Sequence, residues 1–237
     1  MTCLSACQSA LIRLVGKKPA TVFSSSEQTV VEIADLVTEV GIDIMKSHDW
    51  QVLTKINAIA GNGTDTAFAL PDDYDRMSLG QGVSDANSWF WGYTQVPDMD
   101  TWIMIQNGFY LGVVAPGWWF LTGGQFQFQP APASGATAKF PYVSKNFAFA
   151  ASGTSKAAFD NDNDTFALDE RLLTLGLIWR WRAQKRLEYA EDMQTYEIAL
   201  SQAQARDRGA TVIRSNGRYR TNSLRMGWPW TLGPDIP

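Results

Sequence analysis

The stretch LLTLGLIWRWRAQKRLEYAEDMQTYE, Leu172–Glu197, decides how this chain is read. Leu168, Leu172, Leu175, Trp179, Ala183, Leu187, Ala190, Met193, Tyr196, Leu200 and Ala203 recur at steps of three and four, the period of an amphipathic helix. Asp169 and Glu170 suit the positive end of such a helix, and no proline follows through Asp207. The spacing therefore predicts one helix over 169–207. At 1.5 Å per residue it would be about 57 Å long, more than the width of a small domain. Arg180, Arg182, Lys185 and Arg186 form its cationic side.

Upstream, Leu4, Cys7, Leu11 and Leu14 predict a short helix over 4–15 that stops at Gly16. On that stripe Cys7 acts as a small apolar residue. Cys3 and Cys7, one helical turn apart, are poorly placed for a disulfide, and two thiols alone make no zinc site. A reducing cytoplasm fits this usage. Ser24 with Glu27 reads as a capping box for a second helix, with Val30, Ile33, Val37, Val40, Ile44 and His48 on one face.

From Gln51 the pattern turns to β. TKINAIAGNGTDTAFALP carries two short runs around Gly-Asn-Gly, a hairpin signal. Further strands are expected at Trp102–Gln106, Tyr110–Val114, Trp118–Leu121, Gln125–Gln129 and Thr137–Tyr142. The fold class expected is α+β: a helical bundle with one very long C-terminal helix, an inserted β-rich region and an extended C-terminal arm. The boundaries are 1–50 for the N-terminal helices, 51–165 for the β-rich insertion, 166–207 for the long helix and 208–237 for the arm.

The chain's net charge of −4 is unevenly spread: residues 206–237 carry six Arg against Asp207 and Asp235, leaving the body at −8. The arm has no helical or strand period and is expected to order only against a partner. Solvated disorder, DNA contact and protein contact are all open to it. The interleaved Tyr219, Leu224, Trp228, Pro229 and Trp230 favour protein, since Arg with Trp is typical of interface hot spots. Nothing predicts secretion or membrane insertion: the most apolar run, Leu111–Leu121, is broken by Gly112, Pro116 and Gly117.

Signals for catalysis are thin. His48 is the single histidine and continues an apolar stripe, and neither a nucleophile elbow nor a phosphate-binding loop is present. DNDND, Asp160–Asp164, begins like a calcium loop, but Thr165 and Arg171 stand where the glycine and the bidentate glutamate belong. It reads as a polar turn capping the long helix. No catalytic residue, metal site or cofactor is expected. The ten tryptophans, among them Trp89, Trp91, Trp102, Trp118 and Trp119, leave a carbohydrate-binding tail protein as a third reading. Asp72/Asp73 and Asp98/Asp100 would then be its paired carboxylates.

Four segments together, VFSSSEQTVVEIADLVTEVGIDIMKSHDWQVL, ALPDDYDRM, GGQFQFQPAP with FPYVSKN, and LDERLLTLGLIWRWRAQKRLEYAEDMQTYEIALSQAQARDRG, resemble the head-to-tail adaptor (connector) proteins of short-tailed bacteriophages. The resemblance covers most of residues 10–210. It implies a structural protein of the virion, without enzymatic activity, placed at the head–tail junction after assembly in the host cytoplasm. Its partners would be a homo-oligomeric ring of about twelve copies, the portal protein and the tail nozzle or tail-tube protein. DNA would pass the channel on ejection without sequence-specific binding.

The arm would then be portal-binding, through Arg208, Arg214, Arg218, Tyr219, Arg220, Arg225, Trp228 and Trp230. Arg180, Arg182, Lys185 and Arg186 would face neighbouring subunits. Relatives often read Lys-Gly-Leu-Pro-Tyr where this chain has Lys185–Tyr189, so the long helix is expected to run straight here. The alternative to the adaptor reading is a nucleic-acid-binding module using the Arg-rich arm.

Overall fold

The structure, a computed structural model, describes residues 2–78, 82–85, 92–108 and 117–207. The chain divides into two units, one of Met1–Thr54, Asp73–Arg76 and Val143–Thr211, the other taking in Lys55–Asp72 and Met77–Tyr142.

The first unit is helical. α1 (Cys3–Val15) and α2 (Gln28–Lys46) precede α4 (Glu170–Gln184) and α5 (Ala190–Asp207). α4 packs against α1, α2 and α5. Every residue from Leu172 to Ile178 is buried, so this segment is enclosed on all sides rather than striped, and its neighbours come close enough to require Gly176. A Cβ there would lie 2.4 Å from Val40 Cγ1 of α2 and 3.4 Å from the Tyr196 ring of α5. α1 ends as its sequence predicts, with Gly16 left-handed at φ 71°. α2 begins at Gln28 without the expected capping box; Ser25 Oγ instead accepts from the Glu27 N–H at 3.2 Å. The stripe Val30, Ile33, Val37, Val40 and Ile44 is buried, while His48 lies beyond the end of the helix.

The single very long C-terminal helix is not formed. The segment breaks after Gln184, and α5 returns along α4, with the Tyr196 ring 6.0 Å from that of Trp179. The break is a Schellman turn. Arg186 N–H donates to Ala183 O and Leu187 N–H to Arg182 O at 3.0 and 2.9 Å, with Arg186 left-handed at φ 56°. Energetics account for it: one non-glycine residue in this conformation costs about 1–2 kcal/mol. Covering α4 with Tyr196, Ala199 and half of Leu200 gains more, at about 1.5–3 kcal/mol for a large side chain. A straight helix would leave that side of α4 in water. Arg186→Gly is therefore expected to raise stability by about 0.5–1 kcal/mol, seen as a higher urea midpoint. An unchanged or lower midpoint would show that the turn carries no strain.

The second unit is built on a sheet ordered β1-β8-β4-β5-β6-β7-β2, with β3 pairing β8 off this path. The strands are β1 (Thr54–Ala60), β2 (Ala67–Ala69), β3 (Tyr74–Met77), β4 (Val83–Asp85), β5 (Gly92–Gln95), β6 (Trp118–Thr122), β7 (Gln125–Gln129) and β8 (Thr137–Ser144). β1 and β2 stand at opposite ends of this order, so the Gly-Asn-Gly segment is not the turn of a hairpin between them. β6 and β7 do pair antiparallel, with Trp119 opposite Phe128, and their alternation sets two faces. One gathers Trp119, Phe126, Phe128 and Phe140, with the Phe126 and Phe140 rings 4.3 Å apart. The other seats Trp118 and Phe120 against Trp102 and Ile105 of α3 (Met99–Gln106). α3 replaces the strand expected at Trp102–Gln106; Asp98 caps it by accepting from Thr101 N–H at 2.7 Å. The candidate Tyr110–Val114 lies outside the described residues.

A small sheet, β10-β9-β11 (Ser155–Lys156, Ala148–Phe149, Thr165–Phe166), closes the helical unit. Phe147, Phe159 and Phe166 cluster beside it.

Candidate interaction surface

The cationic residues of α4 are engaged inside the subunit. Arg180 donates to Glu39 at 2.6 Å and also to Asp43, while Lys185 reaches Glu32 at 2.7 Å, all acids of α2. Trp181 Nε1 adds a hydrogen bond to Glu32 at 3.0 Å. The Lys185 ammonium holds the Glu32 carboxyl below the ordinary glutamate range, against the effect of burial and with help from Trp181. Arg182 pairs with Asp192 across the α4–α5 turn. Arg186 is exposed at the left-handed position of that turn. Three of the four predicted interface cations thus brace α4 against α2 and α5.

His48 sits in the connection after α2, its ring edge-on to Trp50 at 5.2 Å and its Nε2 3.5 Å from the Asp207 carboxylate. Asp207, the last residue of α5, also accepts from Gln51 N–H at 3.0 Å. Asp49 belongs to Arg76, whose Nε donates to it at 3.1 Å and whose Nη2 donates to His48 O at 2.9 Å. Both polar residues hold chain segments together. Beside them opens a hollow of 340 Å³ whose wall includes Trp50, Val52, Leu172, Ala203 and Asp207.

The DNDND loop serves α1 and the segment after it rather than the long helix it was expected to cap. Asp162 Oδ1 accepts from Val22 and Phe23 N–H, Asp164 O accepts from Cys3 N–H at 2.6 Å, and α4 is capped by Asp169 instead. Buried Asp164 takes hydrogen bonds from Asp160 and Asn161 N–H, both at 3.0 Å, and from Lys156 Nζ at 2.8 Å. Burial alone would raise its pKa. The Lys156 bond and the two N–H groups outweigh that and hold the carboxyl below the usual aspartate range.

Because the folded pKa is depressed, this group's stabilisation is complete above the unfolded value near 3.9 and is lost as pH falls through the folded one. Asp164→Asn is expected to cost about 2 kcal/mol at neutral pH. Urea titrations from pH 7 to 2.5 should show the difference from wild type shrinking on the acid side. A pH-independent difference would contradict the assignment.

Among the described residues no group of three or more His, Cys, Asp or Glu is placed to hold a metal, and no helix is long and apolar enough to cross a membrane. Of the proposed carboxylate pairs, Asp73 accepts from Ser144 Oγ at 2.7 Å and Asp98 is a helix cap. Buried Cys3 and Cys7 lie side by side, Sγ to Sγ 4.0 Å, and the contact with Cys7, together with burial and the carboxylates of Asp164 and Asp162, pushes the Cys3 thiol pKa upward. Trp89, Trp91 and the predicted portal-binding residues Arg208, Arg214, Arg218, Tyr219, Arg220, Arg225, Trp228 and Trp230 lie outside the described residues.

What the structure exposes is a set of aliphatic side chains on helix surfaces. Leu187, Met193 and Ile198 stand out on the α4–α5 turn and α5, and Ile12 and Val15 on α1. Leu187 and Met193 belong to the stripe read as core; once the helix breaks at Arg186 the phase resets and both turn outward. The signal for Ile198 was its place off that stripe.

A structural unit with braced helices and exposed apolar surface is the kind of object an assembly protein presents, and comparison with protein families agrees. The family model described as SU10 adaptor protein matches residues 1–227. The chain belongs to the SU10 adaptor protein family. Members of this family are bacteriophage adaptors, structural proteins of the virion that work with portal and tail components. A search of curated proteins finds no match. For this SU10 adaptor chain, the phage adaptor expected from its motifs is therefore the right family at that level, and the family's role is structural.

Proposed function

We propose that about twelve copies of this adaptor form a ring at the head–tail junction of a short-tailed phage, between the portal and the tail nozzle or tube. DNA leaves the head through the ring, and assembly takes place in the host cytoplasm. The observation that carries this reading is the family match over residues 1–227. It is supported by the acidic body, which suits a passage that must not hold phosphates, and by an arm rich in Arg and aromatic residues, the chemistry of an anchoring contact. In this reading Arg180, Arg182 and Lys185 stiffen the subunit from within, and exposed Arg186 contributes to the contact with a neighbour.

Native mass spectrometry of the chain alone, and then with the portal from the same genome, tests it. Addition of about twelve copies per portal is the expected result. Absence of association at every salt concentration would discard the reading. If the same sample then bound DNA with a steep salt dependence, the nucleic-acid-binding alternative based on the six Arg of residues 206–237 would take its place.

A further inference from the structure

We infer that neighbouring subunits of the ring meet through the C-terminal end of α1 on one copy and the outer face of α5 on the next. The inference rests on the ring reading above and specifies which surfaces make it. On α1, Ile12 and Val15 are 48% and 38% exposed, and Arg13 and Lys18 beside them make no ion pair with the described residues. Lys17, next to them, is paired with Glu27. On α5, Ile198 is 51% and Met193 36% exposed; Glu191 and Glu197, on the same solvent side, carry carboxylates without an ion pair among the described residues. Leu187 extends this apolar surface at the turn.

Each patch therefore joins exposed aliphatic groups to unneutralised charge, positive on α1 and negative along α5, with the exposed cation Arg186 at the edge of the latter, in the turn beside Leu187. This contrasts with the α2–α4 face, where Arg180 and Lys185 already meet Glu39, Asp43 and Glu32. Single exposed aliphatics are ordinary on any surface. Two such patches with opposite charge on one subunit are a complementary pair.

The signs select the pairing. Contact of α1 with α1, or of α5 with α5, would place like charges face to face. Contact of α1 with the α5 of another copy brings Arg13 and Lys18 towards Glu191 and Glu197 and covers the aliphatic groups of both. Such a heterologous contact leaves each subunit with one free α1 end and one free α5 face, which is the requirement for closing a ring.

The test is charge reversal on the full chain with its portal, read by native mass. Arg13→Glu with Lys18→Glu, and separately Glu191→Lys with Glu197→Lys, should each reduce complete rings on the portal about tenfold. The chain carrying all four substitutions should recover assembly to within about twofold of wild type, because the pairing is restored with its signs exchanged. All four substituted residues lie at solvent-exposed positions, so circular dichroism and thermal unfolding should match wild type.

If both paired variants assemble like wild type, the contact is wrong and the ring stands. If the fourfold variant folds but fails to recover, the charge pairing is overturned. A wild-type chain that never assembles on its portal overturns the ring and this contact with it.

Discussion

Replacing Phe147 with alanine is expected to remove about 3–5 kcal/mol from the stability of the helical unit, the range for losing a fully buried aromatic ring. Phe147 is wholly inaccessible to solvent, with the rings of Phe159 and Phe166 at 5.4 and 6.1 Å. Its other side rests on the backbone of α2, where a Cβ on Gly41 would lie 2.6 Å from Phe147 Cε2. The helix therefore has no side chain at this position that could relax into the space left behind. Phe147 also anchors the chain, since its carbonyl accepts from Ala167 N–H at 2.9 Å. Urea denaturation measures the loss, and a cost below about 1 kcal/mol would show that the site collapses after all. A double-mutant cycle with Gly41→Ala supplies a second reading. The methyl group that clashes with the phenyl ring should be better tolerated once the ring is gone.

Truncation after Asp207 is expected to abolish docking to the cognate portal while leaving the helical unit folded. The reason lies at the end of α5. Gln204 Nε2 reaches Ser47 O at 3.3 Å, and Asp207 accepts from Gln51 N–H and lies beside His48, so the helix is secured before residue 208. The removed segment holds Arg208, Arg214, Arg218, Arg220 and Arg225 together with Tyr219, Trp228 and Trp230, the residues proposed for the portal. Co-sedimentation with portal assemblies measures docking, and thermal unfolding reports the fold. Undiminished docking would sink the arm assignment; a collapse in melting temperature would mean that the segment is part of the fold.

The elements legible in the sequence are those with one wet face. α1 and α2 show a stripe because their other side meets solvent, and β7 reads clearly because its phenylalanines alternate with glutamines. α4 misled for the opposite reason. With Leu172–Ile178 buried all round, the segment contains apolar residues at every phase, so a stripe could be traced straight through it and on into α5. The turn that separates them has an arginine where glycine is the usual residue, and a local pattern offers no warning of a conformation imposed by the packing of Tyr196. The β1–β2 reading failed because strand partners are chosen by distant residues, whereas a glycine turn is a local signal. TWIMIQ in α3 has the composition of a strand, and only Asp98, capping Thr101, marked it as helical.

The interaction surface was legible in its residue types more than in its partners. The cations of α4 stand out, yet the acids that receive them, Glu32, Glu39 and Asp43, lie more than a hundred residues earlier on a helix whose most legible feature is its apolar side. Their spacing of seven and four along α2 puts them on one face, a signal that could have matched them to Arg180 and Lys185. The exposed aliphatics of α5 became visible only when the turn fixed which way that helix faces.

The place of the β unit in the chain has a consequence for synthesis. α1 and α2 emerge from the ribosome first, but the helix that fills the space against both of them is α4, separated from α2 by the β strands. At about 5–20 residues per second the ribosome leaves the apolar sides of α1 and α2 uncovered for roughly 7–30 s before α4 is complete. During that interval they are surfaces for chaperones or for other nascent chains. The chain thus has its most vulnerable period before any partner is present, and the order of its elements, rather than their final stability, sets how long that period lasts.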